Sequence, residues 1–566
     1  MKHIIIASII LSRLLACQNF SDFVGRGNSD STAAKHTNTE IPLLERDMSI
    51  NESNAYSNLF LDSAALEKYI QQTRLDATTA QQMRNFYNVR NYQFAWFTTD
   101  GLTEQGKSFW NLYDYNRHDN DVPKEAKTFH NRMDTLLAED TLMINATDSV
   151  SVQTELQLTE QFLQFTLNEN NNLTMLQDFI PVKKQDPVQL ADSMLNRQSD
   201  SQYMNHNKPY MLLREQLRKY YSIAQKGGWQ PIPSGAKMIR KGASSPVVIA
   251  IKKRLRLTDD YTAADTSGLF NDSLAVALRS FQQRMGLRPD GVITDTLIQI
   301  MNIPAEQRIQ QIIINMDRMV WMPTATTENR IEVNIPDFML YVYEGSQKAF
   351  DMPVVVGSEG SSTTVFSGNL NQIVFSPSWT IPSSIVKEEI LPAMKQDPNY
   401  LKKRNMEVVK QSDSLPVIRQ LPGQDNALGK VKFLFPNSFD IYLHDTPKKD
   451  VFQQQQRAVS HGCIRLADAE KLAQYLLRND PEWTPEKIRA AMNSGKEQPA
   501  RVKDPVPVMI NYFTAWVDEN GKLNFRNDIY GHDRKTAEKM FIAAGAIPNV
   551  FKTPGADSLR PKPDSL

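Results

Sequence analysis

The sequence predicts an α+β, multidomain chain: a helical scaffold, a small helical module, then a mostly antiparallel, β-sandwich-like domain carrying a helical insertion. Three observations lead there. Apolar residues recur at helical spacing over 56–241, a compact two-helix pattern fills 242–303, and from Arg330 the hydrophobic period becomes two. The length of 566 residues agrees, being a soft prior for about three or four domains.

Residues 1–17 open with Met1-Lys2-His3, run largely apolar from Ile4 to Ala16 and reach Cys17. The run is too short for a bilayer, which takes roughly 20 residues, so a secretory signal is expected. Residues 18–55, including Gly25-Arg26-Gly27-Asn28-Ser29-Asp30, have no sustained periodicity. They are expected to form a flexible tether with a reach of roughly 35 Å.

Over 56–241 the scaffold pattern places Leu66, Tyr69 and Ile70 on one helix face and Leu158, Phe162 and Phe165 on another. The aromatics of Tyr92-Gln93-Phe94-Ala95-Trp96 are assigned to core packing. In 242–303, Pro246 opens a helix with Val248, Ile251 and Leu255. A second helix carries Leu274, Leu278, Phe281 and Met285, stops at Gly286 and precedes a turn at Asp290-Gly291. Residues 304–329 are read as a connector.

The β domain spans 330–535. Ile331, Val333 and Ile335 alternate, and Met339 to Tyr343 turns at Glu344-Gly345 into Val354-Val355-Val356. Strands are expected at Val431 to Phe435 and Phe439 to Leu443, and a last hairpin at Val508 to Val517, Asn520-Gly521 and Leu523 to Arg526. The polar, helical stretch 385–428 is expected to be a capping insertion. Residues 536–566 are expected to hold a C-terminal helix and a disordered, Pro-rich tail.

Lys+Arg and Asp+Glu both number 64, and this balance gives no support to a nucleic-acid partner, which usually meets a strongly basic domain. The two cysteines are too few for a disulfide scaffold, and no CxxC or zinc-finger spacing occurs.

Chemistry concentrates around Cys463, in Ser460-His461-Gly462-Cys463-Ile464-Arg465-Leu466, downstream of Tyr442-Leu443-His444-Asp445. Of eight histidines, two lie within 19 residues of this cysteine. A thiol needs a base or cationic neighbour to react as thiolate, and imidazole is the usual one. His444 ends a predicted strand that can aim its ring, whereas His461 lies two residues from Cys463 and shares its face if the segment is extended. Either histidine is a candidate base. Gly462 allows a sharp turn that frees amides to face an oxyanion. A zinc site of Cys463, His444, His461 and Asp445 is the rival reading, without an HExxH motif in its favour.

Three resemblances add to this. Leu14-Leu15-Ala16-Cys17 resembles the lipobox of bacterial lipoproteins, implying lipidation of Cys17, export, and a membrane-tethered periplasmic protein of a Gram-negative-type bacterium. Gly268-Leu269-Phe270-Asn271, Ala277-Leu278, Phe281-Gln282, Gly286-Leu287 and Asp290-Gly291-Val292-Ile293 resemble the small helical peptidoglycan-binding domain. The Ser-His-Gly-Cys-x-Arg run with His444 upstream is similar to the L,D-transpeptidase catalytic domain, and most to the large murein L,D-transpeptidases. Ser378-Trp379-Thr380-Ile381-Pro382, Gln420-Leu421-Pro422-Gly423, Asn426-Ala427-Leu428-Gly429-Lys430-Val431 and Asp528-Ile529-Tyr530-Gly531 share that likeness.

This last resemblance implies a cell-wall enzyme that needs no cofactor. Cys463 acylates itself with a peptidoglycan stem peptide, releases D-Ala and transfers the acyl group to an amine, forming 3-3 cross-links. It makes His444 the proton donor/acceptor, with the Asp445 carbonyl orienting its ring, and gives the amides of Gly462 and Cys463 to the oxyanion. Arg465, Arg457 and Ser460 are then expected at the substrate, and Tyr442 and Trp379 as pocket walls. Water as acceptor would give an L,D-carboxypeptidase, and a silent site would leave a peptidoglycan-binding lipoprotein.

Overall fold

The structure is a computed structural model that describes residues 41–116, 124–138, 143–168, 173–197, 207–235, 238–323, 329–411 and 415–542. The signal 1–17, Cys17, most of the tether and the tail beyond Ile542 lie outside the described residues. A compact unit runs from Leu43 onward and is organised around three hydrophobic cores.

The first core belongs to the helical half. Helices Ser63–Thr73 and Ala77–Asn88 begin where Asp62 and Asp76 accept bonds from their first-turn amides. Leu66, Tyr69, Ile70, Leu158 and Phe162 are buried together, with Phe165 packed against them. The segment ending at Trp96 is core: Phe94, Ala95 and Trp96 are fully buried, and the Trp96 indole N–H donates to Thr159 Oγ1 at 2.9 Å. Buried Glu155 accepts the amides of Ala95 and Trp96 at 2.7 and 3.1 Å, before the short hairpin of β1 (Phe97–Thr98) and β2 (Gly101–Leu102).

The tether is shorter than expected, because residues 43–55 already pack on the scaffold. Ile50 is buried, the Asp47 amide donates to Asn88 O at 3.0 Å, and the Lys184 amide donates to Asn54 O at 2.8 Å. Partners as far apart as Asn88 and Lys184 recruit this stretch, which has no period of its own.

In the small module, Ser245 caps the helix Pro246–Leu257 and Asn271 caps Asp272–Arg284. Gln282 clamps the Asp290-Gly291 turn, donating to Asp290 Oδ1 at 2.8 Å and accepting the Gly291 amide at 2.7 Å. Thr294 caps the next helix, Asp295–Met301. The expected connector is in fact a central element. Nearly every residue of the helix Ala305–Val320 is buried, in the same core as the scaffold and the module.

The second core fills the β domain. Its strands are β3 (Arg330–Asn334), β4 (Met339–Glu344), β5 (Gln347–Gly357), β6 (Phe366–Phe375), β10 (Val431–Leu434), β11 (Leu443–His444), β12 (Ala458–Ser460), β13 (Ile464–Leu466) and β14 (Gln498–Asn511). They form one sheet in the order β12-β5-β13-β11-β10-β6-β14-β3-β4, and β4 also pairs with β5, so the sheet closes on itself in a sandwich-like form. Pairing is mostly antiparallel, with β11·β13, β12·β5 and β14·β3 parallel.

Two strands differ from expectation. Phe439 to Tyr442 is not strand, because Asn437 Oδ1 accepts the amides of Phe439 and Ile441 and Asp440 takes a positive φ of 53°. Val508 to Val517 is broken after Asn511. Residues β15 (Ala515–Val517) and β16 (Leu523–Phe525) form a separate hairpin whose Ala515, Leu523 and Phe525 join the scaffold core. The C-terminal helix starts earlier, at His532, and buries Ala537 and Met540 in that same core.

The third core is the insertion's own. It begins at β7 (Trp379–Thr380), ahead of the expected Ile385, and it is not wholly helical. β7, β9 (Val417–Gln420) and β8 (Met406–Lys410) form a three-stranded sheet beside the helical run Ser383–Gln396, which contains a π-helical turn at Val386–Ile390.

Candidate active site

Strand alternation sets which residues meet. Leu443 in β11 and Ile464 and Leu466 in β13 are fully buried in the β core. His444 and Arg465 therefore point to the other face, where the Tyr442 ring lies 5.8 Å from the His444 ring. The two strands are parallel neighbours, with Leu443 opposite Ile464 and His444 opposite Arg465. A thiol, a phenol, an imidazole and a guanidinium thus share one patch.

Cys463 is half-buried, and its Sγ lies 3.6 Å from the Asp440 carbonyl oxygen, which accepts from it. Burial and the neighbouring Cys463 push the Tyr442 phenol up, against the opposing pull of Trp379. Burial pushes the thiol up to about 11, against the opposing pull of Tyr442 and Arg465. Burial, then the Arg465 charge, pushes the His444 imidazole down to about 3. Thiol and imidazole are consequently both neutral near pH 7. His444 Nδ1 lies 2.5 Å from Asp445 O, and since a carbonyl only accepts, Nδ1 carries the proton and Nε2 keeps the lone pair.

Asp445 is buried and doubly held, its carboxylate accepting the Lys430 amide at 2.9 Å and Lys449 Nζ at 2.7 Å. Gly429 makes room for it: a Cβ there would stand 2.5 Å from Asp445 Oδ2.

Three expected site residues, His461, Arg457 and Ser460, are committed to other partners. His461 has its Nε2 2.9 Å from Glu389 in the insertion's π-helical turn. Arg457 donates from Nε, Nη1 and Nη2 to the carbonyls of Val354, Gln454 and Phe338 and stacks over the Phe338 ring, so it braces backbone instead of holding a carboxylate. Ser460 is buried, donates to Cys463 O at 2.6 Å and accepts the Gly462 amide at 3.2 Å. That staples the turn, and it commits the Gly462 amide that was expected to face an oxyanion. Trp379 is buried in the insertion core, against which Tyr442 packs, so the insertion adjoins the reactive face.

A cleft of about 1060 Å³ lies elsewhere, lined by Gly286, Tyr341, Tyr343, Trp516 and Arg526 among others. Its aromatic faces are already covered, Arg330 lying over Tyr343, Lys348 over Tyr341 and Arg526 over Trp516. Among the described residues no cluster of three or more His, Cys, Asp or Glu side chains is arranged to hold a metal ion.

Comparison with known families matches residues 328–508 to the L,D-transpeptidase catalytic domain, the segment that contains this patch. Residues 328–508 are an L,D-transpeptidase catalytic domain. Residues 81–217 match the scaffold domain and 244–301 the "Putative peptidoglycan binding domain" that accompany this L,D-transpeptidase domain here. A protein of Haemophilus influenzae described as "Putative L,D-transpeptidase" is 34% identical over 242 residues, which is 40% of this chain and 48% of that protein. The match thus spans about half the length of this curated relative. Solved L,D-transpeptidases are similar at a lower level: one from Xylanimonas cellulosilytica is 14% identical over 49% of this chain and all of that one, with a TM-score of 0.15. L,D-transpeptidase 3 from Mycobacterium tuberculosis is 18% identical over 32% of this chain and 60% of its own, with a TM-score of 0.17. Scores this low carry no structural argument, and the assignment rests on the domain match.

Sequence reasoning missed three groups around the L,D-transpeptidase site: Asp440 at the thiol, Glu389 at His461, and Thr363, whose Oγ1 donates to Gly462 O at 2.7 Å. The positive φ at Asp440 had a weak local signal in Asn437-Ser438-Phe439-Asp440, a turn-forming composition. Glu389 and Thr363 are 72 and 99 residues from their partners, and no local signal marks them.

Proposed function

We propose that this chain is a cell-wall L,D-transpeptidase that uses Cys463 as nucleophile and a peptidoglycan stem peptide as acyl donor. The observation that carries the reading is the shared face of Cys463, Tyr442 and His444, with His444 Nδ1 committed to Asp445 O and Nε2 left as base. Cys463 Sγ attacks the carbonyl carbon of the bond between an L-centre and terminal D-Ala as its proton passes to His444 Nε2. The charge that develops on the carbonyl oxygen falls to the Cys463 amide, since the Gly462 amide is occupied. Collapse breaks the C–N bond, His444 returns the proton to the departing amine, and a thioester remains on Cys463.

An amine of a second stem then attacks the thioester, giving its proton to His444 and forming a 3-3 cross-link while the thiol is regenerated. Arg465, on the same face, is the candidate partner for a stem carboxylate. The small helical module would hold the glycan wall, and Cys17 would tether the exported protein to a periplasmic membrane surface. Neutral starting charges suit this chemistry, because proton transfer occurs within a desolvated pair rather than from a standing ion pair.

Incubation of the protein from residue 41 onward with a disaccharide-tetrapeptide, followed by mass spectrometry, tests the reading. A cross-linked dimer with D-Ala release is the expected product. Tripeptide alone would make the protein a carboxypeptidase, and unchanged substrate would refute acyl transfer.

A further inference from the structure

We infer that Thr363, held by Tyr530, is a positioning residue that turns the Cys463 amide toward the reacting carbonyl. The inference rests on the acyl-transfer reading above and extends it to residues far from the cysteine motif.

The Gly462–Cys463 peptide is the soft point of the nucleophile turn. Gly462 has a φ of +110°, a region side-chain-bearing residues avoid, and glycine lets the neighbouring peptide plane rotate at little cost. A trans peptide is planar, with its C=O and N–H pointing in opposite directions. Whatever holds the Gly462 carbonyl therefore also aims the Cys463 N–H. Thr363 Oγ1 does this from the inner side, donating to Gly462 O at 2.7 Å.

The direction of that bond is forced. The same hydroxyl accepts the Gly357 amide at 2.9 Å, so its one proton is left for the Gly462 carbonyl. Thr363 is itself pinned: its amide donates to Tyr530 Oη at 3.3 Å, and Tyr530 Oη donates to Gly357 O at 2.6 Å. Thr363, Gly357, Gly462 and Tyr530 are all buried, where a lost hydrogen bond is not replaced by water. Gly357 lets the loop close this tightly, since a Cβ there would meet Ser361 O at 2.0 Å.

The support reaches the helical half. Tyr530 N donates to Tyr512 Oη at 2.8 Å, and Arg318 of the Ala305–Val320 helix donates to Tyr512 O at 3.0 Å while pairing with Glu104 and Asp533. The scaffold thus braces the loop that aims the nucleophile's amide.

The test compares two reactions of Cys463 in wild type, Thr363→Val, Thr363→Ser and Tyr530→Phe. Acylation by a carbapenem develops an oxyanion, whereas alkylation by iodoacetamide does not. Thr363→Val is expected to slow acylation and kcat by at least about tenfold, toward the ~10²–10³ of a lost oxyanion donor, with KM and the alkylation rate nearly unchanged. Thr363→Ser, which keeps the hydroxyl, should restore the rate, and Tyr530→Phe should show a smaller loss of the same selective kind. Normal acylation in Thr363→Val, or a parallel fall in acylation and alkylation, would overturn the inference. If Thr363→Val does not fold, the same selectivity in Tyr530→Phe decides. A wild-type protein that alkylates yet takes neither carbapenem nor stem peptide would instead sink the acyl-transfer reading itself.

Discussion

His461 Nε2 lies 2.9 Å from the Glu389 carboxylate, so the histidine nearest Cys463 in sequence binds the insertion. A π-helical turn, a form concentrated at functional sites, supplies that carboxylate. A part-exposed polar contact of this kind is worth about 0.2–1 kcal/mol, at most roughly fivefold in an equilibrium. His461→Ala and Glu389→Gln should therefore each shift KM for the stem peptide by no more than that. Steady-state kinetics of the two variants will check it; a loss of kcat confined to His461→Ala would return His461 to the role of base.

His444 should behave differently. With Nδ1 committed and Nε2 the only basic nitrogen, His444→Ala is expected to lower carbapenem acylation by about 10²–10⁴-fold. Cys463→Ala should leave no adduct at all by mass spectrometry.

The buried pair also sets a pH dependence of stability. His444 titrates near 3 when folded, below its ordinary 6.5, so the unfolded chain binds the extra proton between those values. Its contribution is complete above about 6.5 and is lost as pH falls toward 3. Cys463 has the opposite sign: its folded value near 11 exceeds the ordinary 9.0, so its contribution is complete below 9 and is lost as pH rises toward 11. Thermal melts across this range should show a shallower acid limb in His444→Gln and a shallower alkaline limb in Cys463→Ala.

Gly429 is irreplaceable for two reasons, a φ of +62° and the Asp445 side chain 2.5 Å from a would-be Cβ. Gly495 shares the first reason, at +66°, with open space around it. Strain of this kind costs about 1–3 kcal/mol. Gly429→Ala should thus destabilise more than Gly495→Ala and, by displacing Asp445, should also lower kcat. Equal effects would mean that Asp445 moves aside freely.

Arg457 bonds three backbone carbonyls, so Arg457→Met should cost about 1–3 kcal/mol of stability in a denaturant titration. KM for the stem peptide should stay unchanged, whereas Arg465→Met should raise it.

Much of the site was legible because its placement is periodic. The buried Leu443, Ile464 and Leu466 oblige His444 and Arg465 to the opposite face, and that alternation is visible in sequence. The helical scaffold and the caps at Ser245 and Asn271 were legible on the same local grounds. Residues 43–55, the Ala305–Val320 helix and the β15–β16 hairpin were misjudged because their partners lie far along the chain, in a core shared by several segments.

By itself, then, the sequence marked which side chains are candidates for the chemistry, since residue type and strand period are local properties. Only the tertiary structure decided how each donor and acceptor is used: Arg457 and Ser460 committed to backbone, His461 to Glu389, and the Gly462 carbonyl to Thr363. A hydrogen-bonding group has few bonds to give, and which neighbour takes them depends on strands and loops brought together by packing, which no local pattern records.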